Sequence, residues 1–130
     1  MKKFAYSLES VLRVKSQIQE NTKEQLRQAI SLLRKEEENV RRLELRKKSY
    51  QEKKEQYARG GVEPPTLLLF DSYIRKIKRE IKEAQARVAE AEARVDNLKV
   101  ALLKITQECD MLKKLKEKEF AAYKKELSRH

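Results

Sequence analysis

The sequence predicts an all-α protein in which two long helices pair as an antiparallel coiled-coil hairpin, and three observations predict it. From Phe70 to Leu112, apolar or small residues recur at alternate spacings of four and three: Phe70, Ile74, Ile77, Ile81, Ala84, Val88, Ala91, Val95, Leu98, Leu102, Ile105, Cys109, Leu112. No charged residue interrupts the series, and a 3.5-residue period held this long belongs to a helix that supercoils around another. The first half of the chain carries a second stripe: Leu8, Val11/Leu12, Ile18, Thr22, Leu26, Ala29/Ile30, Leu33, Val40, Leu43, Tyr50, Tyr57. Between the two stripes, both glycines and both prolines of the chain fall within Arg59–Thr66, so the chain reverses direction once.

In chain order, Met1-Lys2-Lys3 is a short basic lead. Phe4, Tyr6 and Leu8 alternate as in a brief extended segment, yet Phe4, Leu8, Val11, Leu12 and Ile18 also share a helical face. The start of the first helix is placed between Phe4 and Ser7, with Glu9 in a favourable first-turn position. That helix covers residues 5–58. Lys15, Glu36, Lys47 and Lys54 fall at stripe positions, where long side chains can cover a seam with their stems; the other reading is that helix 2 keeps apolar surface that helix 1 leaves uncovered. The turn spans 59–66: a Gly takes the left-handed conformation, Pro64-Pro65 stops helix, and Thr66 caps the second helix. Helix 2 covers 67–127. With the midpoint near Val62, residues whose numbers total about 124 face each other. Tyr50 then meets Ile74, Leu43 meets Ile81, Leu33 meets Ala91, Leu26 meets Leu98 and Leu12 meets Leu112, apolar against apolar each time. Ala84, Ala86, Ala89, Ala91 and Ala93 mark a waist where backbones approach closely, and beyond Leu112 the phase passes to Leu115, Phe120, Tyr123 and Leu127.

Composition narrows the function. At 130 residues the chain is expected to be one domain. The 41% charged residues with two Gly, two Pro and no Trp belong to long helices, not a layered fold. A paired helix buries one seam and leaves no room for a catalytic pocket. The single histidine, His130, is the last residue, and the single cysteine, Cys109, sits in the apolar series as a small buried hydrophobe. One of each makes no metal site and no His-dependent catalytic group, and Gly60-Gly61 lacks the context of a phosphate-binding loop. The expectation is therefore no enzyme, no cofactor and no metal. One Cys and no leader-like apolar run point to a reducing, intracellular compartment. The run Thr66–Phe70 is too short to span a bilayer.

The net charge of +11 calls for an acidic partner: nucleic acid, an anionic membrane or an acidic protein cavity. Basic clusters lie at Arg41-Arg42, Arg46–Lys48, Lys53-Lys54 and Arg75–Lys82, and again at Lys113–Lys118 and Lys124-Lys125. A solvated helix surface accounts for such runs as readily as binding does. Nucleic acid is disfavoured because stacking and groove-reading side chains are scarce and acidic residues are interleaved. Glu36-Glu37-Glu38, followed by basic residues, reads as ion pairing along the helix. Tyr50, Tyr57, Phe70 and Tyr73 gather near the turn, either as protein-binding anchors or as plugs for the end of the seam.

The opening Phe4-Ala5-Tyr6-Ser7-Leu8-Glu9-Ser10-Val11-Leu12-Arg13-Val14-Lys15 resembles the N-terminal motif of the FliJ family, a soluble component of the bacterial flagellar type III export apparatus. The similarity spans nearly the whole chain: the Gly60-Gly61 turn, Tyr73-Ile74 soon after it, the heptads, and Leu112-Lys113-Lys114-Leu115-Lys116-Glu117-Lys118. The resemblance implies a coiled coil similar to the central stalk of rotary ATP synthases. It further implies partnership with the hexameric flagellar export ATPase, with the membrane export gate and with export chaperones. On that resemblance, Leu8, Leu12, Lys113, Lys116 and Lys118 would engage the ATPase. Asn39, Leu43, Tyr50, Tyr73 and Ile77 would meet the gate. The implied location is the cytoplasm, peripheral to the inner membrane. The competing readings are a basic nucleic-acid-binding helical arm and a generic coiled-coil scaffold.

Overall fold

The computed structural model describes residues 3–61 and 63–129. It consists of two long helices packed against each other, α1 (Glu9–Arg59) and α2 (Pro64–Ser128), with no strand among the described residues. Met1 and Lys2 of the basic lead, the expected midpoint Val62 and the terminal His130 lie outside the described residues. The chain divides into two compact units: Ala29–Val95, which holds the turn, and the residues up to Gln28 together with those from Asp96 onward, which hold the two ends.

Helix α1 begins later than its apolar pattern suggests. The Leu8 carbonyl accepts the first helical bond, from the Leu12 N–H at 2.9 Å, and Glu9 supplies the acidic first turn. The residues before it are not helical: residues 3–6 are irregular and Ser7-Leu8 form a turn, with Phe4, Tyr6 and Ser7 in contact with α2. At the other end, the Gly60 N–H reaches the Gln56 carbonyl at 3.1 Å and Gly61 adopts φ +76°. Only glycine takes that left-handed conformation without strain. Helix α2 then starts earlier than expected. Pro64 and Pro65 occupy its first turn, where an N–H has no helical partner to lose, and the Glu63 carbonyl accepts the Thr66 N–H at 3.1 Å. Thr66 therefore lies inside the helix and is not its cap.

Every member of the Phe70–Leu112 series is buried or half-buried. In the turn-bearing unit, Leu43, Ile77, Ile81 and Ala84 form one cluster, with Val40 and Tyr50 packed on it. In the other unit, Tyr6, Leu12, Ile105 and Cys109 are buried, Cys109 completely. Each fully buried Leu or Ile contributes about 1.5–3 kcal/mol. Of the five alanines expected at the waist, only Ala84 and Ala91 reach the seam. Ala86, Ala89 and Ala93 are exposed, because they stand on the outer face of α2.

The charged residues in the α1 stripe do more than cover the seam. Lys15 Nζ lies 3.0 Å from Glu108, Arg87 Nε 3.2 Å from Glu36, and Lys54 pairs with Asp71. Gln19 donates to the Thr106 hydroxyl at 3.1 Å. In each case the partner is one residue from the position that a fold-back at Val62 assigns. Lys47 alone stays on its own helix, 3.2 Å from Glu44. These pairs are partly exposed, so each is worth only about 0.2–1 kcal/mol. Their larger effect is on register, since a slip along the seam would break them.

Candidate interaction surfaces

The unit holding the two ends is closed by its first residues. Phe4 packs on Phe120, ring centroids 5.0 Å apart and edge-on, and on Tyr123 at 5.5 Å. Tyr6, 6% exposed, donates its hydroxyl to the Leu112 carbonyl at 2.8 Å. Ser7 donates to Glu119 at 3.2 Å, and Lys116 lies 2.9 Å from Glu9. The chain turns at Ser7-Leu8, where the Tyr6 carbonyl accepts the Glu9 N–H at 3.1 Å, and before and at that turn Phe4, Tyr6 and Ser7 all reach α2. The continuation of the apolar pattern into Phe120 and Tyr123 is thereby explained: those rings receive Phe4. Burial pushes the Tyr6 phenol pKa up, and the Glu119 and Glu9 carboxylates add to the rise while Lys116 opposes it. Phe4, Lys113, Lys116, Glu117 and Phe120 line an open groove of about 430 Å³.

The turn-bearing unit carries an aromatic cluster. Tyr50 and Tyr73 stack with planes 7° apart and centroids 5.7 Å apart, while Phe70 lies 6.5 Å from Tyr50 and 5.3 Å from Tyr57. Lys53 Nζ sits 5.6 Å from the Tyr50 ring centre. Tyr50 and Phe70 are half-buried and plug the seam, whereas Tyr57 and Tyr73 stand about half exposed. With Lys53, Thr66 and Leu69 these rings border a groove of about 410 Å³. A second groove, of about 390 Å³, runs along Asn39, Arg42, Arg46, Glu80, Glu83 and Arg87. The Glu36–Glu38 run is divided: Glu38 pairs with Arg41 on its own helix, which holds its carboxyl below the usual range, and Glu36 crosses to Arg87.

The residues singled out from the sequence fall into two groups. Leu8, Lys113, Lys118 and Tyr73 are exposed, and Asn39, Tyr50 and Lys116 are half-buried, the last engaged with Glu9. Leu12, Leu43 and Ile77 are 8%, 8% and 4% exposed, inside the seam. A stripe residue of a two-helix pair faces its partner helix, so these three shape the surface only by packing beneath it. The structure brings Tyr50 and Tyr73 into contact. It also joins Lys116 to the N-terminal segment, through Glu9. Sequence reasoning missed the attachment of Phe4, Tyr6 and Ser7 to α2, although the Phe4-Tyr6-Leu8 alternation was its visible sign. It also missed the exposure of Leu68 and Leu69, 63% and 61%.

Among the described residues, no group of three or more His, Cys, Asp or Glu side chains could hold a metal ion. No helix among them is long and apolar enough to cross a membrane. These surfaces present aromatic rings, cations and a few exposed aliphatic side chains. No curated protein and no solved structure matches the chain. The family model described as Flagellar FliJ protein matches residues 4–130.

Proposed function

Because this chain belongs to the FliJ family of flagellar export proteins, we propose that it works without catalysis of its own, as a stalk-like partner of the hexameric export ATPase. It promotes assembly and turnover of that enzyme, and makes further contacts with the membrane export gate and with export chaperones. Its place is the cytoplasm, peripheral to the inner membrane.

The observation that carries this reading is the stapling of the segment before α1 onto α2 by Phe4, Tyr6 and Ser7. A stalk must transmit force without its helices parting, and these contacts tie α2 to the start of α1. Next to that closure, Lys113 and Lys118 present exposed cations suited to an acidic lining of a protein ring. An asymmetric helical pair inside such a ring would feel the subunits close in sequence. In the other unit, Tyr73, Tyr50 and Asn39 offer an aromatic and amide surface for the gate. Leu12, Leu43 and Ile77 hold these surfaces in shape from below.

The test is to add the purified protein to the purified export ATPase and follow ATP turnover and oligomeric mass together. The expected result is faster turnover with a shift toward the hexamer. Unchanged turnover and unchanged mass would remove the mechanism.

A further inference from the structure

The second turn of α2 leaves apolar side chains in solvent that the seam does not use. Leu68 and Leu69 are adjacent and both more than 60% exposed; Tyr73, one turn beyond Leu69, is 52% exposed, and Tyr57 on α1 is 48% exposed. Single surface leucines need no explanation, but an apolar group of this kind at a chain reversal does. Helical spacing puts Leu68 on one face with Arg75, Arg79 and Lys82, and Leu69 beside Tyr73 and Lys76. These four cations are exposed, and none has a carboxylate partner among the described residues.

Around the turn itself the charges largely cancel. Lys54 pairs with Asp71 and Arg59 with Glu55, leaving Glu52 and Glu63 against Lys53. Along α2, therefore, an apolar and charge-balanced turn comes first and a cationic face comes after it, Arg75 lying about 10 Å beyond Leu68 at ~1.5 Å per residue. That order and spacing match one kind of partner. At an anionic bilayer, apolar side chains sink about 5–10 Å to the acyl boundary while phosphates remain at the level of the cations. Half-exposed tyrosines favour the same depth. A protein groove gives no reason for the cations to stand one step behind the leucines.

We propose that the turn of this hairpin is a peripheral docking site for an anionic phospholipid bilayer. Leu68 and Leu69 enter the acyl boundary, and Arg75, Lys76 and Arg79 lie against the headgroup phosphates, with Lys82 within electrostatic reach. The contact is interfacial, since no helix among the described residues can span a membrane. It does not depend on the ATPase reading, and either can fail without the other.

The test uses the full chain carrying Leu68→Cys labelled with an environment-sensitive fluorophore. Cys109 is fully buried and escapes the label. The probes are vesicles of phosphatidylcholine alone and of phosphatidylcholine mixed with phosphatidylglycerol. The expected result is sedimentation with the mixed vesicles and a blue-shifted label, with neither on the neutral ones. Leu68→Ser/Leu69→Ser should bind roughly tenfold more weakly or worse. Arg75→Glu/Arg79→Glu should lose binding, and Lys113→Glu/Lys118→Glu should keep it, each with unchanged helical circular dichroism. Binding to mixed vesicles with the label still in water would mean charge adhesion alone and would overturn the proposal. So would equal binding to neutral vesicles, or none to either. A lipid-free wild type that sediments as a dimer and falls to monomer in Leu68→Ser/Leu69→Ser would make a second copy the occupant instead, and overturn it too.

Discussion

At the scale of single residues, Tyr6 shows how one side chain joins two distant parts of the chain. Its hydroxyl donates to a helical carbonyl, Leu112, which has a second lone pair free for it. Its pKa is raised, chiefly by burial, so the folded state favours the neutral phenol. The stability it contributes is complete below the ordinary tyrosine pKa of about 10 and is lost as pH climbs through the raised value. Tyr6→Phe has no proton to lose. Wild type should therefore be the more stable of the two at neutral pH, and the gap should close above about pH 10. Urea midpoints measured by circular dichroism across that range check it; a gap independent of pH would mean the phenol is not held neutral by folding. The alternation of Phe4 and Tyr6 was legible in the sequence. Their target was not, because a contact across more than a hundred residues leaves no local pattern.

At the scale of elements, the boundaries depend on backbone chemistry that residue type partly reveals. The two glycines of the turn look equivalent in sequence and are not. Gly61 has φ +76°, whereas a Cβ on Gly60 would meet only the carbonyl oxygens of Gln56 and Tyr57, at ordinary contact distance of 3.6 Å. Gly61→Ala should cost about 1–2 kcal/mol. Gly60→Ala should be neutral or stabilise by up to about 1 kcal/mol, because it restricts the unfolded chain. Denaturant midpoints of the two variants separate them, and equal shifts would contradict the asymmetry. Pro64-Pro65 carried a similar ambiguity. The same ring that ends a helix also begins one, and which role applies depends on where the preceding helix has stopped. The Lys15, Glu36 and Lys54 positions in α1 were legible as departures from the apolar stripe. Their partners Glu108, Arg87 and Asp71 emerge only when the two helices are set in register.

For the whole molecule, each of the two units exposes aromatic and cationic side chains, and basic residues outnumber acidic ones in both. Lys113→Glu/Lys118→Glu should weaken binding to the export ATPase while leaving gate binding intact, and Tyr73→Ala should do the reverse. Pull-downs with each purified partner decide this; loss of the same contact in both variants would show that the two surfaces serve one partner.

By itself the sequence determined that the chain forms two helices, where it reverses, and which face of α2 is buried. Hydrophobic period and the placement of Gly and Pro are local properties, readable without a partner. Only the tertiary structure decided that Leu12, Leu43 and Ile77 belong to the interior while Tyr73 and Lys113 reach solvent. The same holds for the three outward alanines, and for the N-terminal segment closing onto Phe120. Those outcomes depend on which helix faces come together and how far each side chain reaches across, quantities that exist only once the two halves have met.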